Sequence, residues 1–204
     1  MKNLRTYGKA PFNIAVIHGG PGAGGEMAPV AHKLASRWGV LEPIQTATSL
    51  DGQVGELKEV LENQGDGPLI LVGFSWGAWL SFMVTAHCPA LIKKLILVGS
   101  GPFEEKYVRR LQEVRQSRLT QAERTEFESV IRALGGSPVT EDKDGLLSRL
   151  GALTSKTDAY DPISDESDET VSVGNRGNIF QNVWKDASEL RRSGNLLELG
   201  KRIT

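Results

Sequence analysis

Two glycine-bracketed turns carry the side chains of this sequence that could do chemistry. One reads Gly73-Phe74-Ser75-Trp76-Gly77, the other His18-Gly19-Gly20-Pro21-Gly22. The first has the G-x-S-x-G pattern. Between a strand and a helix, that spacing holds a serine on a sharp, strained turn with its hydroxyl lifted above the sheet. Gly73 and Gly77 keep side chains out of the turn. The Trp76 amide, at the start of the following helix, can donate to negative charge developing on a carbonyl oxygen. The pattern alone is a weak signal. It gains strength from its position, between the apolar run LILVGF and a helical run.

The second turn admits two readings. Gly20-Pro21-Gly22-Ala23-Gly24-Gly25 also fits G-x-G-x-x-G directly after an apolar run, and Glu42 lies about 20 residues further on. Those are the parts of a dinucleotide fingerprint, with glycines for the pyrophosphate and a carboxylate for a ribose. His18 ahead of the glycines and Pro21 within them argue against it. So does Ser75, for which a nucleotide domain has no use.

The elements around these turns alternate. Phe12–His18 is a short β-branched run. Met27–Trp38 has helical spacing in Val30, Leu34 and Trp38. Gly39–Glu42 is a strand closed by Pro43, and Leu50–Gln64 an amphipathic helix. Leu69–Phe74 is a buried strand, Trp76–His87 a helix stopped near Pro89, and Leu95–Val98 another buried strand. Strands separated by helices predict a parallel, doubly wound α/β sheet. Ligands bind beyond the carboxyl ends of such a sheet, where strand order reverses. A reversal between the Phe12 and Leu69 strands would bring both turns to one crevice.

After Ser100 the spacing is helical. Glu104–Gln116 and Thr120–Leu134 read as polar helices, the second opened by a Thr120/Glu123 capping box. Leu146–Leu153 is a weaker helix, Asp158–Glu169 an acidic loop without calcium-loop spacing, and Phe180–Ile203 helical again. The expected organisation is a core over 1–100, a helical lid over 101–190 and a return helix over 191–204.

Composition excludes several classes. Lys and Arg number 24 against 25 Asp and Glu, a net charge of −1. Binding nucleic acid through bulk charge needs a basic excess. The lone Cys88, expected as a small buried hydrophobe at a helix end, allows no disulfide within the chain. The apolar run Ile14–Ile17 is too short for a leader or a membrane span. A cytoplasmic, soluble protein with no cofactor and no metal is expected.

HGGPG together with GFSWG resembles the α/β-hydrolase superfamily, specifically its proline-iminopeptidase-like branch. The resemblance runs over essentially the whole chain. It implies that Ser75 is a nucleophile, that Gly20 and Trp76 offer oxyanion amides, and that His18 braces the loop formed with Gly19, Pro21 and Gly22. Implied substrates are small esters, amides or N-terminal peptide bonds.

Serine hydrolysis also needs a base, usually histidine, and in this superfamily the chain order is Ser, then Asp or Glu, then His. The sequence has three histidines: His18, His32 and His87. Only His87 follows Ser75, twelve residues on along one helix, or about 18 Å at ~1.5 Å per residue. Glu104 and Glu105 could supply an acid, but no relay without a histidine. The expectation is a nucleophile-and-oxyanion half whose Asp and His are lost or come from a second chain, or else a binding protein that kept only the pocket. An open edge on the KKLILVGS strand, and an uncovered stripe of Leu196, Leu197, Leu199 and Ile203, predict a homo-oligomer, a complementary C-terminal fragment or aggregation.

Overall fold

The apolar runs assemble into one five-stranded sheet. The computed structural model describes residues 3–135, 142–161 and 176–203. The strands are β1 (Leu4–Tyr7), β2 (Phe12–Ile17), β3 (Gly39–Pro43), β4 (Leu69–Phe74) and β5 (Ile92–Val98), in the order β1-β3-β2-β4-β5. β1 runs antiparallel to β3, and the other pairs are parallel. Strand order reverses between β2 and β4, so the turns that follow these two strands are neighbours.

Alternation along the strands sorts side chains to two faces. Ile14, Val16 and Val40 meet Met27 and Ala31, at the cap and in the body of α1 (Ala28–Ala35). Ala15, Ile17, Leu41, Leu69 and Leu71 face the larger core. Three helices close that core: α2 (Leu50–Gln64), α3 (Trp76–His87) and α7 (Arg176–Arg192). α2 starts where the Ser49 side chain accepts from the Gly52 amide, as an N-cap should. α3 is buried along nearly its whole length, as a helix that is apolar all round must be.

The remaining helices are α4 (Val108–Ser117), α5 (Gln121–Gly135), α6 (Lys143–Asp158) and the one-turn α8 (Asn195–Glu198). Leu119, Phe127, Val130, Leu134, Leu150 and Leu153 form a separate small core between α5 and α6. α7 joins this block to the sheet. Phe180 packs on the small core, while Ile179, Val183 and Ala187 enter the large one.

Several elements differ from expectation. α1 buries Ala28 and Ala31, and of the expected Val30/Leu34/Trp38 stripe only Leu34 packs on the core. Val30 and Trp38 are exposed, because small residues let this helix lie close to the sheet. The Glu104 helix opens as a 3-10 turn over Glu105–Tyr107 before α4 begins. α6 is longer than Leu146–Leu153, because Asp142 caps it from outside. Asp158 ends α6 rather than opening an acidic loop, and 162–169 lie outside the described residues. The last helical stretch breaks at Gly194, whose φ is +79°. There Leu196 buries in the large core, Leu199 packs on it, and only Leu197 stays exposed among the described leucines of that stripe. Cys88 is half-buried, not buried.

β5 is the sheet edge and not the buried strand expected over Leu95–Val98: with one side unpaired among the described residues, Ile96, Leu97 and Val98 are each about two-fifths exposed. Leu71, in the sheet centre, is fully buried. Leu71→Ala is therefore expected to cost about 2–5 kcal/mol, and Leu97→Ala about 1 kcal/mol or less. Urea unfolding of both variants checks this contrast.

Candidate active site

Ser75 is the one described non-glycine residue with a positive φ, at φ 52° and ψ −113°. A side chain held there costs roughly 1–3 kcal/mol unless its surroundings fix it. Three features fix it. The Ser75 amide donates to the Val98 carbonyl at 2.9 Å, and the Ser75 carbonyl accepts from Ala78 at 3.1 Å. Gly73 leaves room for the turn, since a Cβ there would lie 2.3 Å from the Gly77 carbonyl oxygen. Gly77 allows the turn to meet β2, since a Cβ there would lie 2.4 Å from the Ile17 oxygen and 2.5 Å from the His18 oxygen. The two glycine turns thus pack backbone against backbone.

Trp76 opens α3, so its amide has no partner within the helix. Its indole is buried and donates to Gln53 at 3.2 Å, which fixes the side chain. Gly20 has φ +57°, and its carbonyl accepts from Ala23 in a tight turn through Pro21 and Gly22. The Gly19 amide donates to the Glu26 carboxylate at 2.8 Å. Arg176, at the start of α7, donates through Nε to the Gly22 carbonyl at 2.8 Å. Sequence reasoning missed both contacts. Arg176 lies 154 residues from Gly22, and no local pattern encodes that meeting.

His18 is completely buried. Its Nε2 accepts from the Gln45 amide at 3.4 Å, so Nδ1 carries the proton and donates to the Gly19 carbonyl at 3.0 Å. Burial holds the imidazole below its usual pKa of 6.5. Both nitrogens are engaged, so the ring holds the loop and is not free to take a proton from Ser75. His32 meets the Tyr7 ring edge-on at 4.8 Å. His87 engages the Met83 carbonyl at 2.7 Å in the last turn of α3. None of the three lines the space above Ser75.

That space is a cavity of about 610 Å³. Its floor holds Ser75, Trp76 and Trp79; its walls come from α4, the end of α6, and Trp184 and Arg191 of α7. Trp79 and Trp184 stack at 5.8 Å, and the Trp79 indole donates to the Gly101 carbonyl at 3.1 Å. Glu105, expected as an alternative acid, instead binds Arg191 at 2.7 Å, and Glu104 binds Lys106 at 2.8 Å. Glu42 is fully buried and accepts from the Tyr7 hydroxyl at 2.6 Å, with Arg5 nearby. Burial and that carboxylate push the Tyr7 phenol up to about 12. Glu42 is therefore not presented to a ribose, and the dinucleotide reading loses its acidic member. Among the described residues no cluster of His, Cys, Asp or Glu could hold a metal, and no helix is long and apolar enough to cross a membrane.

A family model described as alpha/beta hydrolase fold matches residues 21–138, more than half of the chain. The chain belongs to the α/β-hydrolase fold family. A curated relative, Lipase LipV of Mycobacterium tuberculosis, is 27% identical over 109 residues. The match covers 47% of this α/β-hydrolase chain and 40% of LipV. Among solved structures, lip1 from Acinetobacter baumannii AYE superposes with a TM-score of 0.58 at 13% identity, over 98% of this chain and 66% of that one. The thioesterase domain from the curacin biosynthetic pathway gives 0.55 at 21% identity, over 98% and 74%. The chain thus spans less than half of the curated relative and about two-thirds of lip1.

Two outcomes follow from the packing. A methyl group at Gly77 meets backbone rather than a flexible side chain, so Gly77→Ala should cost at least about 2 kcal/mol. The check is the urea midpoint. For His18, folding depresses the pKa, so below 6.5 the unfolded chain binds a proton that the folded one refuses. Stability must then fall as pH drops below 6.5, by up to about 1.4 kcal/mol per pH unit for one group. His18→Asn should show a lower plateau near pH 7 and a shallower decline towards pH 5.

Proposed function

We propose that this chain bears the nucleophile and the oxyanion amides of a serine hydrolase acting on small ester, amide or N-terminal peptide bonds. The observation that carries the reading is the left-handed backbone of Ser75 on the floor of a cavity of about 610 Å³. Ser75 Oγ attacks the carbonyl carbon of the substrate. The oxygen gains negative charge and accepts from the Trp76 and Gly20 amides, held by α3 and by the glycine loop. The leaving group departs with a proton, an acyl ester forms on Ser75, and water later releases the acid. The helices over 101–190 act as the lid. HGGPG and GFSWG, with their likeness to the proline-iminopeptidase branch, favour N-terminal peptide bonds among the three.

The proton of Ser75 needs a base, and the positions of His18, His32 and His87 support none of them in that role. The base, with its orienting carboxylate, comes from elsewhere, for instance a complementary chain. The same observation favours a second reading, a pocket that binds acyl compounds without turning them over.

A fluorophosphonate probe tests the nucleophile. Mass spectrometry should find one adduct, on Ser75, and Ser75→Ala should abolish it. On 4-nitrophenyl butyrate the 204-residue chain should give only the residual ~10³–10⁴-fold over water that an oxyanion site retains without its triad. Turnover at ordinary enzyme rates, lost on Ser75→Ala, would overturn the assignment of the base to another chain. Absence of any adduct would leave the binding-protein reading.

A further inference from the structure

The charges lining the cavity above Ser75 do not balance. Among the described residues three arginines line it, Arg115, Arg118 and Arg191, against one carboxylate residue, Asp158. Two of the three are neutralised. Arg115 grips both oxygens of Asp158 through Nε at 2.7 Å and Nη2 at 2.5 Å. Arg191 binds Glu105 and lies 5.6 Å from the Trp79 ring centre. Arg118 donates through Nη1 to the Thr157 carbonyl. Among the described residues it has no carboxylate within ion-pair distance. A guanidinium has five N–H donors in a planar fork that suits carboxylate and phosphate; among the described residues the Thr157 carbonyl takes one of them, and the exposed side chain keeps the others open to solvent or a ligand.

The rest of the wall is largely apolar. Trp79 and Trp184 stack across it, and Val108 and Leu111 close the α4 side. A wholly apolar substrate would suit those walls and leave Arg118 idle. We propose that the substrate of this site carries an anionic group remote from the reacting carbonyl, paired with Arg118, with its apolar middle against Trp79 and Trp184. The inference rests on the hydrolase reading for the word substrate, but its binding chemistry stands apart from Ser75. A carboxylate and a phosphate both fit the fork, so the test carries an arm for each.

Calorimetry on the Ser75→Ala chain compares monomethyl adipate with dimethyl adipate, and hexyl phosphate with hexanol, in low salt. At least one monoanion should bind about tenfold or more tighter than its neutral counterpart, and added salt should shrink the difference. The arm with the larger ratio identifies the anion. In the same background Arg118→Gln should abolish the preference, and Arg118→Lys should keep part of it. Arg109→Gln, which removes an exposed arginine paired with Glu113, should leave it intact. Equal affinity for charged and neutral probes, no detectable binding of any probe, or a preference that survives Arg118→Gln would each overturn the proposal. Fluorophosphonate labelling of the parent chain separates the two ideas. An adduct on Ser75 without anion preference keeps the hydrolase reading and sinks this one. Anion preference without an adduct does the reverse.

Discussion

One backbone conformation organises this molecule: the positive φ of Ser75. An L-residue does not stay there unaided, so its surroundings are built to hold it. β5 supplies the carbonyl of Val98 for the Ser75 amide, and α3 begins at once and ties the Ser75 carbonyl to Ala78. Glycine is required at 73 and 77 because backbone oxygens occupy the space a Cβ would take. β2 must then lie directly beside β4, since its last carbonyls fill the notch at Gly77. The strand reversal that gathers both glycine turns thus has a steric counterpart in the turn itself.

The glycine loop after β2 solves a different problem. It is rich in glycine yet is tied down on several sides. Its restraints come from three directions: His18 from below, Glu26 from within the loop and Arg176 from α7. The imidazole does this as a neutral group, with one donor and one acceptor each matched to a backbone partner. A charged ring at full burial would cost far more than it returned.

The sheet was legible from sequence because its strands are short apolar runs between turn residues. Leu50–Gln64, Leu69–Phe74 and Trp76–His87 were bounded correctly for that reason. The reversal between β2 and β4 was expected from the two glycine turns that end these strands, whereas the place of β1, antiparallel to β3 at the far edge, was not read from the sequence. The face of α1 was misread because an alanine stripe has little hydrophobic contrast, although small residues pack closest. The surroundings of Ser75 beyond its own motif were hidden for another reason. Trp184, Arg191 and Arg176 reach the site across more than a hundred residues, on a helix whose sequence is polar enough to pass for a surface element. The pairing of Glu105 with Arg191 was hidden likewise, and it removes a carboxylate that by position alone looked available.

α7 has a consequence of its own. It is one unbroken helix of 17 residues, about 25 Å long at ~1.5 Å per residue. Its first residue holds the Gly22 carbonyl, its middle presents Trp184 to the cavity, and its last turn lays Arg191 over Trp79. A straight helix transmits displacement along its length. Any tilt that widened the cavity at Trp184 would also pull on the glycine loop through Arg176. The wall of the cavity and the glycine loop are therefore held by one element, and a displacement of either is felt by the other.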